Sequence, residues 1–583
     1  MITLAALTNE AYRIRLDNSS DPIPVLHGLV AARRDSAAFQ IVLQSDHQYS
    51  VSVRPAEWFS QKAGLRGIHE RIRVSVSSPF EVSLNAEGFM TDQDDVKKAD
   101  VLLAQDVVES PANQPTGVWA ELIIPADAAP GEYTVSVSVF LSRYGEDEKR
   151  ILTCEIPLRV FQYVLPEPRD RRICVNLWQH LSSVARHHDV PLWSNEHFEV
   201  LKYYVEAIAA LGQKSVTLCA SQIPWNGQNC AADSENPGNL FEYSIIPITK
   251  RKDGSFSYDY TGMQRYIDLC AAAGITGDIE IFGLVNVWQN DMPPLCENYP
   301  ENIILRYLDE SDGVLKYIRD CEQIIDYVKN LESYFIRTGQ IGRVRIAADE
   351  PGDIGRYRES LALMKKIAPS FRYSTAINHA GFIEEFKNEI STFAPYLSCV
   401  TGEYTRLKAH KAAYPDKKML WYVCGYARLP NNCMINPLID NRSIGPLTDY
   451  LGFDGFLRWN FCLYPDHPRV DIRYSRFGTG DVNFVYPAHN GRVLLSLRYK
   501  NLQRGFADHE LLVALRQKEP AAADNALRSV FDFSVEDLEE FEKRSQKYGG
   551  DMDQGRNDPD CVISRDWDDF NSMKTALLIA LSD

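Results

Sequence analysis

From about residue 171 to 518 the chain alternates, eight times over, between short β-branched runs and helix-like segments. Candidate strands fall at 173–178, 215–220, 278–285, 344–349, 371–377, 397–404, 419–425 and 454–461. Helical patterns separate and follow them at 196–212, 261–274, 312–337, 353–368, 380–391, 405–413, 440–451 and 494–516. Regular alternation of this kind calls for parallel strands joined by crossover helices. The strands are almost continuously apolar, as strands covered on both faces are. Eight units fit a closed (β/α)8 barrel, with a doubly wound open sheet as the structural alternative.

At 583 residues the chain exceeds what one core supports. Residues 1–165 read as an antiparallel β-sandwich, with strand-like runs at 39–43, 72–76, 118–124 and 134–139 and a turn at 125–131. Leu165-Pro166-Glu167-Pro168-Arg169-Asp170 reads as a linker into the barrel, residues 171–518. Residues 519–583 read as a helical extension. In it Ser534 caps a charged helix, 549–559 is a polar loop, and 570–581 is a last helix.

A net charge of −17 argues against nucleic acid or an anionic membrane as partner, since both need a basic surface. No run approaches the ~18 apolar residues of a membrane span, and the first ten residues lack the basic start of an ordinary signal peptide. The twelve cysteines are scattered and form no C-x-x-C pair, which favours a reducing cytoplasm. Phosphate-cradling, dinucleotide, nucleophile-elbow and zinc-protease motifs are all missing, so no cofactor or metal is expected. Arg186-His187-His188-Asp189 reads as a solvated loop rather than a ligand cluster. The oligomeric state stays open, a homodimer included.

Asp349-Glu350 ends the fourth strand pattern, and Pro351-Gly352 stops it. In a barrel that tip lies at the catalytic mouth, where two carboxylates suit acid–base chemistry on a glycosidic bond. The blander reading of the same acids is capping of the next helix. The other tips are rich in rings and amides: Trp178 and Gln179, Trp225, Asn378, Tyr404, Trp421 and Tyr422, Trp459 and Asn460. Rings present apolar faces to sugar C–H groups and amides meet hydroxyls, although core packing is the default for any single ring.

An ordered set of words then resembles glycoside hydrolase family 123, the retaining β-N-acetylgalactosaminidases. It runs through Ala129-Pro130-Gly131-Glu132-Tyr133, Leu177-Trp178-Gln179-His180, Ser194-Asn195-Glu196-His197-Phe198 and Tyr258-Asp259-Tyr260-Thr261. Asp349-Glu350, Leu420-Trp421-Tyr422-Val423-Cys424, Gly455-Phe456-Leu457-Arg458-Trp459, Gly480-Asp481 and Val485-Tyr486-Pro487 follow. The resemblance implies substrate-assisted catalysis, an exception to the two-carboxylate scheme. The sugar's 2-acetamido oxygen would attack the anomeric carbon, Glu350 would serve as acid and then base, and Asp349 would orient the acetamido N–H. It also implies a glycan or glycoside substrate cleaved from the chain end. Two departures stand out. Pro351 follows Glu350 where the family pattern has Arg-Pro, and residues 462–469 differ from the usual stretch. The alternatives are a glycosidase for non-acetylated sugars with Glu403 as nucleophile, and a silent carbohydrate-binding protein. Retention of both carboxylates speaks against the latter.

Overall fold

Eight parallel strands close on themselves in the computed structural model. They are β1 (Cys174–Leu177), β2 (Val216–Cys219), β3 (Ile279–Phe282), β4 (Val344–Asp349), β5 (Arg372–Ile377), β6 (Ile390–Pro395), β7 (Lys418–Tyr422) and β8 (Gly455–Arg458). The structure describes residues 2–17, 22–54, 69–143, 145–224, 241–287, 294–425, 430–474, 477–531 and 563–582. Each strand lies beside its sequence neighbour, and β8 returns to pair with β1. The remaining seam, β1 to β2, is stitched by one backbone bridge and by side chains. A bridge joins Val175 to Gln213. The Gln213 amide accepts the Leu177 N–H at 2.8 Å and donates to the Leu177 and Ser215 carbonyls. Gln179 Oε1 accepts the Thr217 N–H at 3.0 Å. The sheet is therefore a barrel and not an open sheet.

The helices that follow each strand are α1 (Asn195–Ala210), α2 (Thr261–Ala272), α3 (Cys321–Arg337), α4 (Ile354–Ile367), α5 (Gly381–Phe386), α6 (Tyr404–Ala413), α7 (Leu438–Leu451) and α8 (Leu497–Lys518). Local chemistry sets their starts. Ser194, Asp320, Asp353 and Ser496 each accept a backbone N–H from the first turn of α1, α3, α4 and α8.

Two sequence expectations fail here. The sixth strand is 390–395, while 397–402 forms a short helix. Both stretches are short and apolar, and periodicity cannot tell them apart. The expected helix at 312–337 begins only at Cys321, because Val314–Tyr317 pairs with Arg306–Asp309 as a hairpin. The described part of the C-terminal extension has helices at Pro520–Leu527 and Trp567–Ser582. The cap at Ser534 and the loop at 549–559 lie outside the described residues.

The N-terminal region is a sandwich of a five-stranded and a six-stranded sheet. Phe39, Ile41 and Leu43 of one sheet meet Val135, Val137 and Val139 of the other in its core. Most pairs are antiparallel, but Leu29–Arg33 runs parallel to Lys149–Val164, and Gln48–Ser52 runs parallel to His69–Ser77. The turn at 125–131 does not join a hairpin. It carries the chain from Thr116–Ile124 in the first sheet to Gly131–Arg143 in the second. Buried ion pairs fasten the sandwich to the barrel. Arg504 on α8 meets Glu10 at 2.8 Å and Glu121 at 3.1 Å, and Arg498 meets Asp100 at 2.9 Å.

One buried acid in the sandwich lacks such partners. Glu87 is 2% exposed and neither carboxyl oxygen has a hydrogen-bond partner among the described residues. Burial pushes its pKa up to about 8. The folded chain then holds a proton that the unfolded chain releases above its ordinary value of 4.5. Stability from this group is complete at low pH and is lost as pH rises toward 8. We predict that Glu87→Gln removes roughly 1.4 kcal/mol per pH unit of destabilisation across that window. Urea unfolding of both proteins at pH 5 and pH 8 tests it: parallel pH dependences would show that Glu87 ionises freely.

Candidate active site

Parallel neighbours share a face, so the register sorts side chains into those that point into the barrel and those that point out. Asp349 pairs with Ala376, and Arg345, Ala347 and Asp349 face inward with Glu280 and Ser374. Glu280 fills the barrel beneath the mouth, held by Asn176 at 2.9 Å and Ser374 at 3.1 Å. An extended Glu350 would point away from Asp349. Its backbone is instead left-handed, with φ of 41°, and its N–H donates to the Ala376 carbonyl at 3.1 Å. A non-glycine residue held this way costs on the order of 1–3 kcal/mol, and such residues cluster at functional sites. The turn directs the second carboxylate back over the mouth, where the Tyr422 hydroxyl of β7 donates to its Oε1. The Tyr422 ring lies 5.2 Å from Tyr396, whose hydroxyl donates to the Cys424 carbonyl at 3.3 Å.

Burial raises the pKa of both carboxyls. Repulsion from Glu350 pushes Asp349 further up, while the Tyr422 hydroxyl draws Glu350 back down. Together the pair holds a proton above the usual carboxylate range, as general acid catalysis needs. Tyr422→Phe removes a donor to the ionised form, so the basic limb of the kcat/KM profile should move to higher pH. An unmoved limb would mean that the group next to Tyr422 is not the titrating acid.

The other expected tip residues divide. Trp178 faces inward, 4.8 Å from the Phe282 ring across the barrel, and Trp459 faces inward with Tyr422's register. Asn378 is exposed, one residue past β5. Trp225 lies outside the described residues. Three residues turn away from the mouth, and a fourth, Asn460, is buried just past β8. Gln179 is spent on the β1–β2 seam and also accepts the Tyr266 hydroxyl. Trp421 points outward, its indole N–H donating to Thr448 of α7 at 2.8 Å. Tyr404 starts α6 and turns its side chain outside the barrel, donating to the Leu451 carbonyl at 2.9 Å and packing near Phe453. Asn460 donates to the Asp481 carbonyl. Glu403 sits on no strand tip: it accepts the Ala380 N–H at 3.0 Å and pairs with Arg406. Arg186, His187 and His188 are the half-buried last turn of a helix, not a solvated loop, and burial pushes His187 down to about 3.

Sequence reasoning gave no role to Asp481, Tyr396, Asn286 or Glu301. Asp481 is buried after β8, accepting the Gly425 N–H at 2.7 Å and the Trp459 indole at 3.2 Å beside Arg458. Asn286 donates to the Asp349 carbonyl, and Glu301 accepts the Asn286 and Val287 N–H groups. Residues in loops carry no periodicity, so only the pairing of polar types with turns hinted at them.

A closed barrel that presents two adjacent, half-buried carboxylates at one C-terminal strand tip holds them where barrel enzymes build their active sites. The family model "Glycoside hydrolase 123, catalytic domain" matches residues 178–515. The chain belongs to glycoside hydrolase family 123 and is a glycosidase. A family 123 glycoside hydrolase from Clostridium perfringens, studied for glycolipid glycan hydrolysis, has the same fold. Its TM-score is 0.72 at 17% identity, covering 94% of this chain and 98% of that one. A Bacteroides ovatus GH5 xyloglucanase in complex with a heptasaccharide reaches a TM-score of 0.29 at 8% identity, covering 82% of this chain and 98% of that one. No curated protein matches the chain. Among the described residues no helix is long and apolar enough to cross a membrane.

Proposed function

We propose that the protein is an exo-acting, retaining β-N-acetylhexosaminidase that favours N-acetylgalactosaminides and uses substrate assistance. The observation that carries the reading is the adjacency of Asp349 and Glu350 at one tip, turned to the same mouth by the left-handed Glu350. Retaining glycosidases with a protein nucleophile hold their two carboxyls across the sugar, ≈ 5–5.5 Å apart on different elements. Among the described residues the other acids near the rim are engaged. Glu403 caps α5 and pairs with Arg406, and both Asp481 oxygens accept N–H groups.

In this reading Glu350 donates its proton to the glycosidic oxygen as the C1–O bond breaks. The acetamido carbonyl oxygen forms the new bond to C1, and Asp349 accepts the acetamido N–H of the cyclic cation. Glu350 then takes a proton from water, which attacks C1 and reopens the ring. Two inversions retain the anomeric configuration. Trp178 and Trp459, 2% and 6% exposed, pack as an apolar floor beneath the mouth, and Asn378 offers an exposed amide. The hydrolysis of glycolipid glycans studied for the Clostridium perfringens enzyme supports a glycan substrate. A cytoplasmic site of action is supported by the ten described cysteines, all free thiols. The test is hydrolysis of aryl glycosides with and without a 2-acetamido group. Turnover confined to the acetamido members is expected; equal turnover of both would remove substrate assistance.

A further inference from the structure

We infer that Asn286 and Glu301 are positioning residues for the Asp349–Glu350 pair, an inference that rests on the catalytic reading of that pair. The peptide plane joining the two carboxylates is pinned at both ends. Its carbonyl, that of Asp349, accepts the Asn286 side-chain N–H from the loop after β3. Its N–H, that of Glu350, donates to Ala376 of β5 at 3.1 Å. The orientation of this plane sets whether Glu350 is extended or left-handed, and hence whether the two carboxylates share the mouth. Without support a glutamate leaves the left-handed region.

Asn286 can reach that carbonyl only because its own loop is tightly wound. Gly283 has φ of 93°, and a Cβ there would lie 2.3 Å from Ser221 Oγ. Asn286 is itself left-handed, with φ of 49°, a conformation asparagine tolerates better than most side chains. Glu301 then locks the turn. Its Oε1 accepts the Asn286 N–H at 2.7 Å and its Oε2 the Val287 N–H at 3.1 Å. Glu301 is 3% exposed, and Arg356 of α4, the helix that follows the pair, lies 3.9 Å from its carboxylate. The support thus runs from α4 through Glu301 and Asn286 back to the tip of β4.

Asn286→Gly keeps the left-handed backbone but removes the donor, and so isolates the hydrogen bond. On the aryl glycoside the wild type cleaves fastest, kcat should fall about 10²-fold, the usual consequence of misplacing a reacting group by an ångström. KM and Tm should stay near wild type. In a Glu350→Gln background the same change should cost almost nothing more, because the group it positions is already disabled. Glu301→Gln, whose amide oxygen can accept only one of the two N–H groups, should lose less than Asn286→Gly. The inference is overturned if Asn286→Gly keeps wild-type kcat, if kcat, KM and Tm all deteriorate together, or if its loss multiplies onto that of Glu350→Gln. Wild-type kcat in Glu350→Gln alone would instead remove the catalytic reading on which the inference rests.

Discussion

Glu350→Gln should slow hydrolysis of a phenyl glycoside by roughly 10²–10⁴-fold, the range for loss of a general acid. The amide keeps the shape and can still accept the Tyr422 hydroxyl, which donates to Glu350 Oε1. What disappears is the proton for the departing oxygen. The loss should therefore shrink for leaving groups that need little protonation, such as dinitrophenol. A steady-state comparison of the two aglycones on wild type and variant measures this. Equal losses for both would place the role of Glu350 outside proton donation.

Asp349→Asn should leave KM nearly unchanged and lower kcat by about 10²–10³-fold, because the contact strengthens only as charge develops on the acetamido group. Asp349 feels the repulsion of Glu350. Its exchange for a neutral amide should also free Glu350 of a like charge, so the basic limb of the pH profile should fall to lower pH. A thiazoline that mimics the cyclic intermediate should bind the wild type far more tightly than the product sugar and lose that advantage in the variant. Thiazoline affinity that is equal in both proteins would show that Asp349 does not meet the acetamido nitrogen.

The barrel was legible because β-branched strands and amphipathic helices differ in period, and eight repeats leave little room for another topology. Where the signal was short it misled: the segments at 390–395 and 397–402 have similar composition, and only the first forms a strand. That error put Tyr404 and Glu403 on a strand tip, where the chain is in fact helical. The paired rings and amides illustrate a signal left unused. Adjacent strand residues face opposite ways, so Trp421 and Tyr422 could not both enter the barrel. The structure sends Tyr422 to Glu350 and Trp421 to Thr448. At the β1 tip Trp178 likewise turns inward and Gln179 joins the seam. Asp349-Glu350 stood out as a motif, but the left-handed turn that aligns the pair did not, since it depends on Asn286 from the loop after β3 and on Ala376 of β5. Asp481 was part of an ordered word with no role attached. Its partners Gly425 and Trp459 lie on two other loops, and only folding brings them together.

The most direct test of the account is kcat/KM for aryl β-N-acylgalactosaminides whose 2-acyl group carries zero to three fluorines. Fluorine weakens the acyl oxygen as a nucleophile without changing the protein. If the sugar's own amide attacks C1, kcat/KM falls steeply with each fluorine added. A flat series, with unfluorinated and trifluorinated substrates cleaved alike, would contradict the account and point to a carboxylate of the protein as the nucleophile.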